Sequence, residues 1–216
     1  PAGAPAVLLE HDLKNLAGRL EMLGQNLSAN FDDPLFRTSA LGVLSATAHH
    51  LAELARDLRQ HEGRVVAKLR IDLNDVLQQA LSDIRPDLAG KVELIESYRE
   101  IPAVWGDSFL LRRAFACALE NALHAMKGRG TISLATWHEV RHGRGRTVVE
   151  IADDGPGMTA EFVRDGLFRP HASTKPNGLG LGAYTIRQVA QLHGATLRVA
   201  SVVGVGTRLR FGFLDE

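Results

Sequence analysis

The stretch DDGPGMTAEFVRDGLFRPHASTKPNGLGLG, residues 153–182, carries the most information about the fold of this chain. It follows an alternating, strand-like segment, and its closing GLGLG run, Gly178–Gly182, leads into a helix-like segment. Consecutive backbone N–H groups at the start of a helix bind anions, and glycines keep side chains out of the way. No Gly-Lys-Ser/Thr follows, so the run is neither a Walker-type phosphate loop nor a dinucleotide-binding motif. The stretch therefore predicts a local anion site of another kind.

The first part of the stretch predicts a ligand pocket at the end of a strand. Asp153 is placed to accept a hydrogen bond from an exocyclic amine such as that of adenine, and Gly155 and Gly157 let the backbone approach a ligand closely. A plain hairpin-like turn is the alternative. The loop that follows is expected to be mobile and to lie near phosphates, with Phe168 as its apolar anchor and Lys175 as its cation.

A helix-like segment upstream, Asp107–Lys127, carries a second candidate site. Asn121 offers a carbonyl oxygen of the kind that suits Mg²⁺, and Glu120 beside it can polarise a water or act as a base. Taken alone, such a pair is usually ordinary helix surface. However, this helix, the DxGxG turn, the Phe-anchored loop and the GLGLG run occur in one order, a conjunction that chance does not explain.

The first third of the chain predicts a helical hairpin. Leucines recur at alternating spacings of four and three from Leu9 to Leu27, Asn30–Pro34 breaks the helix, and a second apolar stripe runs from Leu41 to Leu58. A hairpin alone cannot bury both stripes. We therefore expect a second copy to complete a four-helix bundle across a two-fold axis.

The motif EHDLKN near the start of the first helix is a candidate for covalent chemistry. A neutral imidazole such as that of His11 is a competent nucleophile, and Asp12 beside it can take or hold the ring proton. Asn15, one helical turn further on, could orient a water on the same face. A charged, solvated helix face is the alternative for this motif by itself.

Beyond a linker, the sequence predicts three helices and several mostly antiparallel strands, which read as a two-layer α/β sandwich. The predicted segments are strand Leu69–Leu73, helix Asn74–Leu88, strand Val92–Tyr98, helix Asp107–Lys127, strands Thr131–Val140 and Arg146–Asp153, helix Gly180–His193 and strands Ala195–Ser201 and Gly206–Phe213.

Composition excludes several classes of protein. The 216 residues carry 25 Lys and Arg against 25 Asp and Glu, so no net basic field favours nucleic acid or anionic lipid. The apolar runs are far shorter than the ~20 residues that a bilayer span needs. Cys117 is the one cysteine, which excludes an internal disulfide framework and a cysteine-based zinc cluster. We therefore expect a cytoplasmic chain that contacts neither nucleic acid nor membrane, although the full-length protein could be attached to a membrane through a preceding region.

Together the motifs resemble the catalytic core of the sensor histidine kinases of two-component signalling. His11–Asn15 resembles the H box, Glu120–Ala122 the N box, Asp153–Met158 the G1 box, Leu167–Pro170 the F box and Gly178–Gly182 the G2 box. The HDLKN form of the H box is similar to that of kinases linked to exosortase and exopolysaccharide systems. The resemblance covers nearly all of the chain.

The resemblance implies three regions. Residues 1–62 would form a dimerisation and histidine-phosphotransfer hairpin, 63–68 a linker, and 69–216 a GHKL-type domain that catalyses and binds ATP. The implied activity is an ATP-dependent protein-histidine kinase that forms a homodimer and passes its phosphoryl group to an aspartate of a response-regulator receiver domain. An additional phosphatase activity is left open by the resemblance.

The resemblance also implies the role of each matching residue. His11 would be the phosphoacceptor, Asp12 the neighbouring acid or base, and Asn15 the group that orients a hydrolytic water in phosphatase-competent kinases. Asn121 would coordinate Mg²⁺ between the ATP phosphates, and Asp153 would bind the adenine amine. The remaining implied ATP contacts are Gly155, Gly157, Phe168, Lys175, Gly178, Leu179, Gly180, Leu181 and Gly182.

Two alternatives stay open, and departures from the family pattern bear on the first of them. Cys117 stands where the N box often has an earlier asparagine, and His171 where the F box often has a second aromatic residue. These departures would suit a pseudokinase that binds nucleotide or a partner without phosphotransfer. The other alternative is a GHKL ATPase of the chaperone or mismatch-repair kind, although those machines place the ATPase domain first. No sensing domain precedes His11, so we expect a fragment or an unusually short kinase.

Overall fold

The computed structural model describes residues 16–18, 20–27, 30–61, 68–88, 92–141, 143–169 and 182–215. These residues fall into two compact units, a helical one that ends at His61 and an α/β one that begins at Lys68. The predicted linker, 63–68, lies outside the described residues except for Lys68, so the predicted domain bounds stay a prediction.

The described part of the helical unit has two helical segments separated by a turn. Residues 16–18 and 20–27 are helical, and helix α1 spans Pro34–His61. Pro34 suits the first turn of a helix because that position needs no N–H donor, and the carboxylate of Asp33 accepts the N–H of Leu35 at 2.8 Å. The predicted break is therefore observed. Among the described helices, none combines the length and the apolar character that crossing a membrane requires.

The α/β unit consists of two sheets and the helices between their strands. In chain order its described elements are β1 Leu69–Ile71, α2 Leu73–Ile84, a 3-10 turn Arg85–Leu88, β2 Val92–Tyr98, β3 Val104–Gly106, α3 Ser108–Ala125, β4 Gly130–Arg141, β5 Arg144–Asp153, α4 Ala160–Asp165, α5 Gly182–Leu192, β6 Thr196–Val202 and β7 Gly206–Leu214.

The larger sheet has five strands in the order β2-β4-β5-β7-β6, and β1 pairs with β3 in a small antiparallel sheet. Among the described strands of the larger sheet, only β2 and β4 pair in parallel, since α3 lies between these two strands in the chain as a crossover connection. The expected sandwich of helices on a mostly antiparallel sheet is thereby confirmed.

Local capping corrects some of the predicted bounds. Helix α2 begins at Leu73 and not at Asn74, because the carboxylate of Asp72 caps it by accepting the N–H of Asn74 at 2.8 Å. The helix ends at Ile84 and not at Leu88, because Pro86 disfavours the α-helical conformation in the residue before it. A 3-10 turn, Arg85–Leu88, follows the helix. Strand β3 and helix α4 were not predicted from the sequence.

Helix α3 lies between α2 and α5 and forms the centre of the core. One of its faces is apolar and buried, and the fully buried rings of Phe115 and Phe211 meet edge to face, with centroids 5.2 Å apart, so that the helix is joined to β7. This packing fixes the orientation of α3, so that the less buried side of the helix, which carries Asn121, faces away from the core.

Candidate functional site

The middle of the site is the C-terminal half of α3. Asp107 caps this helix by accepting the N–H groups of Phe109 and Leu110 at 3.0 and 3.1 Å. The buried stripe of the helix leaves Glu120 exposed and Asn121 half-buried. Cys117 precedes Asn121 by four residues, which places the two on the same side of the helix. It is also half-buried.

The start of α5 lies against the amide of Asn121. A Cβ atom placed on Gly182, the first residue of α5, would lie 3.3 Å from the Asn121 Nδ2 atom and 3.5 Å from its Oδ1 atom. The N–H groups in the first turn of an 11-residue helix have no partners within the helix and carry its partial positive charge. The contact thus unites an anion-binding helix terminus with a side chain that can serve as a cation ligand.

Asp153 is the last residue of β5 and lies at a tightly packed turn. Its Oδ1 atom accepts the N–H of Gly155 at 2.9 Å. Burial raises the pKa of the Asp153 carboxyl above its ordinary value, while hydrogen bonds from the backbone of Gly155 and Thr207 partly offset this effect. A partly desolvated carboxylate of this kind is stabilised by a ligand that donates a hydrogen bond.

The neighbouring carboxylate serves a different purpose. The Oδ1 atom of Asp154 accepts the N–H of Thr131 at 2.9 Å, and the Asp154 N–H donates to the Thr131 carbonyl at 3.3 Å. Asp154 therefore joins the end of β5 to the start of β4. The two adjacent aspartates therefore differ in role: Asp153 is partly buried at the turn, and Asp154 holds two strands of the sheet together.

The turn after Asp153 is clamped onto the β6–β7 hairpin. Gly157 has φ +66°, and a Cβ atom on it would lie 2.0 Å from the carbonyl oxygen of Val202. The N–H of Met158 donates to the Ser201 hydroxyl at 2.8 Å, and the N–H of Gly204 donates to the Pro156 carbonyl, also at 2.8 Å. The conformation of the turn thus depends on glycine and on the hairpin.

The same turn reaches the helix that carries Asn121. A Cβ atom on Gly155 would lie 3.4 Å from the Cβ atom of Ala125 and 3.4 Å from the Cγ atom of Met126. Ala125 follows Asn121 by one helical turn, so Asp153, Asn121 and the start of α5 surround one end of α3. The structure brings together these parts of three separate sequence motifs.

Phe168 lies beside α5. The Arg187 guanidinium carbon of that helix is 5.9 Å from the centroid of the Phe168 ring, within the range of a cation–π contact. The backbone before it is held by the N–H groups of Gly166 and Leu167, which both donate to the Phe162 carbonyl at 2.8 Å. The loop is thus attached to the helix whose first turn meets Asn121.

Several predicted site residues lie outside the described residues. In the N-terminal motif these are His11, Asp12 and Asn15, and in the glycine-rich stretch they are Lys175, Gly178, Leu179, Gly180 and Leu181. Of the predicted site, the described part comprises Glu120, Asn121, Asp153, Gly155, Gly157, Phe168 and Gly182.

Sequence reasoning missed the contribution of the β6–β7 hairpin. A Cβ atom on Gly206, which has φ +136°, would lie 2.0 Å from the Asp153 carbonyl oxygen, and Thr207 pairs with Asp153 across the sheet. The Ser201 hydroxyl donates to the Gly206 carbonyl at 3.0 Å. The signal was the Gly-Val-Gly-Thr run at 204–207, of which Gly206 and Thr207 were predicted only as the start of a strand.

Comparison with known proteins shows which family the α/β unit matches and which proteins the longer chain is similar to. Residues 106–216 match the family described as "Histidine kinase-, DNA gyrase B-, and HSP90-like ATPase". The Sensory histidine kinase/phosphatase NtrB of Rhodobacter capsulatus is 27% identical over 92% of this chain, and the Sensor histidine kinase ZraS of Klebsiella oxytoca is 31% identical over 76%. The chain spans 58% and 38% of the lengths of these two relatives.

A solved structure supports the family likeness. The mycobacterial sensor histidine kinase MprB matches 68% of this chain and 97% of its own, with a TM-score of 0.60 and 26% sequence identity.

Proposed function

Because this chain belongs to the family of histidine kinase-, DNA gyrase B- and HSP90-like ATPases, we propose that it is the catalytic core of a sensor histidine kinase. In this proposal ATP is the phosphoryl donor, His11 the acceptor, and an aspartate of a response-regulator receiver domain the final recipient. The observation that carries the proposal is the contact between Asn121 and the first residue of α5, beside the Asp153 turn.

Binding of the nucleotide is assigned to two ends of the site. The Asp153 carboxylate accepts a hydrogen bond from the adenine amine, while the first turn of α5 holds phosphate oxygens with its backbone N–H groups. Gly155 and Gly157 shape the pocket, and Lys175 and Gly178–Leu181 complete the phosphate site. Phosphoryl transfer needs mainly such positioning and charge neutralisation, since the protein has little covalent work to do.

A divalent cation suits the residues at this end of α3. Among the described residues no group of three or more His, Cys, Asp or Glu could hold a metal ion by itself. Asn121 offers a hard oxygen ligand next to the proposed phosphate site, so Mg²⁺ would be held by Asn121 together with ATP oxygens and waters. When bound, the ion would neutralise phosphate charge.

Covalent transfer is assigned to the N-terminal motif. A ring nitrogen of neutral His11 attacks the γ-phosphorus, a P–N bond forms, the P–O bond to ADP breaks, and ADP leaves with the electron pair. Asp12 takes the proton that the ring loses, with Glu120 as a further base at the nucleotide. In the phosphatase reaction, which ends the signal, Asn15 orients a water that hydrolyses the phosphoryl group from the aspartate of the response regulator.

The partners follow from the same proposal. Exposed apolar side chains on the described helical residues, among them Leu35 and Leu41, support a homodimer through a four-helix bundle. The HDLKN motif supports the narrower assignment to exosortase- and exopolysaccharide-linked kinases. The use of ATP and of a receiver domain supports a cytoplasmic location for this part of the protein.

One experiment separates this proposal from its two alternatives. The purified chain is incubated with γ-labelled ATP and Mg²⁺, and label on protein and released phosphate are both followed, with Asn121→Ala as the inactive control. A kinase retains label on the protein. A chaperone-like ATPase releases phosphate without labelling the protein, and a pseudokinase binds ATP but does neither, so either of these patterns would overturn the proposal.

A further inference from the structure

The ring of His193 bridges the end of α5 and the start of α3. Its Nδ1 atom lies 2.8 Å from the carbonyl oxygen of Val189, and its Nε2 atom lies 2.9 Å from the backbone nitrogen of Asp107. A carbonyl can only accept and a backbone N–H can only donate, so Nδ1 carries the proton and Nε2 accepts. The two partners together require a neutral ring in one tautomer.

The surroundings of the ring favour this neutral form. A Cβ atom on Gly106 would lie 3.2 Å from the His193 Cδ2 atom, 3.1 Å from Ile71 and 2.9 Å from Leu111, so the glycine makes room for an apolar slot. Burial lowers the pKa of the imidazole below 6.5. The Val189 carbonyl opposes this shift, the charge of Lys68 adds to it, and the charge of Asp107 opposes it.

The bridge and the nucleotide site lie at opposite ends of the same pair of helices. Gly182 begins α5 against Asn121 near the C-terminal end of α3, while His193, just after α5, reaches Asp107 just before α3. The helices therefore run antiparallel, and α5 is fixed to α3 at two points separated by about 16 Å at 1.5 Å per residue. A rigid helix held at its far end cannot slide or swing freely at its near end.

We propose that His193 is a positioning residue for the nucleotide site, which holds α5 in the register that sets its first-turn N–H groups against Asn121. This inference rests on the proposed function, because it takes the first turn of α5 to bind phosphate. It predicts that loss of the bridge weakens contacts to the phosphates and leaves contacts to adenine at Asp153 intact.

Two ligands and three variants test the inference by titration calorimetry. ATP with Mg²⁺ uses both ends of the site, whereas adenosine uses only the adenine end. His193→Asn keeps a donor at the position of Nδ1 but loses the acceptor for Asp107, and His193→Gln retains an acceptor at the position of Nε2. His138→Asn is the matched control. The His138 Nε2 atom also lies 2.9 Å from a hydrogen-bond partner, the Oδ2 atom of Asp215, but His138 belongs to β4 and not to α5.

We expect His193→Asn to lose about tenfold or more in ATP affinity, with adenosine affinity unchanged, because first-turn N–H groups that move away from the phosphates no longer donate to them. His193→Gln should recover most of the loss, and His138→Asn should bind both ligands like the wild type. An unchanged ATP affinity, or equal losses for ATP and adenosine, would overturn the inference. If the wild type binds no ATP, the proposed function itself fails.

The wild type supplies a second readout that does not depend on how the Asn variant folds. As the pH falls below 6.5, towards the lowered pKa of His193, a growing share of the ring becomes protonated and can no longer accept from Asp107. The ratio of ATP to adenosine affinity should therefore fall more steeply with decreasing pH in the wild type than in His193→Gln. Parallel pH profiles for the two proteins would contradict the positioning role.

Discussion

Asp153 and Asp154 are adjacent carboxylates with different partners. Asp153 is partly buried at the turn after β5, and Asp154 is hydrogen-bonded to the backbone of Thr131. In Asp153→Asn the proposed acceptor for the adenine amine is replaced in part by a donor, so ATP affinity should fall by about 10- to 100-fold. Thermal stability without ligand should not fall, because the substitution removes a charge that burial disfavours.

Asp154→Ala is the matched control for this prediction. It should lower the free energy of unfolding by about 1 kcal/mol, because the N–H of Thr131 loses its side-chain partner, and leave ATP affinity unchanged. Calorimetric titration and chemical denaturation of both variants check the pair. An exchange of the two phenotypes would show that the pocket carboxylate is Asp154.

Gly157 and Gly204 both have positive φ, but only Gly157 is crowded. A Cβ atom on Gly157 would lie 2.0 Å from the Val202 carbonyl oxygen, whereas nothing lies within 4 Å of one on Gly204. Gly204→Ala should cost about 1 kcal/mol of stability through backbone strain alone. Gly157→Ala adds a clash with backbone and should cost about 3 kcal/mol or more, with weaker ATP binding. Equal losses in chemical denaturation would contradict the packing of this turn.

For helices and strands, hydrophobic periodicity predicted an element correctly where the element was long enough to show several repeats. The apolar stripe of α3 and the alternation in β6 and β7 are sustained over several repeats, so these elements were predicted within one or two residues. Strand β3 has three residues, too few to show a period of two, and α4 lies within a glycine-rich stretch. Short elements depend on their neighbours for stability.

The candidate site was likewise predicted only in part from the sequence. Asp153 and Asn121 were recognisable as chemistry-bearing residues in a familiar order. Their meeting with Gly182 could not be derived from spacing, because it depends on how α5 packs against α3. The roles of Gly206 and Thr207 were missed for the same reason, since a strand pairing with β5 brings them to Asp153.

The bridge between α3 and α5 predicts how stability depends on pH. The pKa of His193 is lowered on folding, so its contribution is fully present above about pH 6.5 and is lost as pH falls towards the folded-state value. Chemical denaturation should show that the wild type loses more stability than His193→Gln as pH decreases below 6.5. Parallel losses in the two proteins would mean that other groups govern the acid sensitivity.

At the scale of the whole molecule, the helical unit leaves apolar side chains exposed. Leu41 is 67% exposed and Leu44 is 41% exposed, although both lie in the apolar stripe from Leu41 to Leu58 for which the sequence predicts burial. A second copy that covers this stripe would account for these side chains. Leu41→Lys should therefore weaken the dimer without unfolding the single chain.

Light scattering across a range of protein concentrations checks this prediction. Ile95→Lys is the matched control, because Ile95 is an exposed apolar residue of the α/β unit, with 49% exposure. The control should remain dimeric at concentrations at which Leu41→Lys is monomeric. A wild type that is monomeric at every concentration, or two variants that dissociate alike, would contradict a dimer formed through the hairpin.

The proposed function requires that ATP phosphorylates one histidine of this chain. This claim is tested by incubation of the wild type and His11→Ala with γ-labelled ATP and Mg²⁺, followed by acid and alkali treatment of the labelled protein. We expect wild-type label that is labile to acid and stable to alkali, as a P–N bond requires, and none on His11→Ala, although the variant still binds ATP. Equal labelling of the two proteins, or acid-stable label, would contradict the claim.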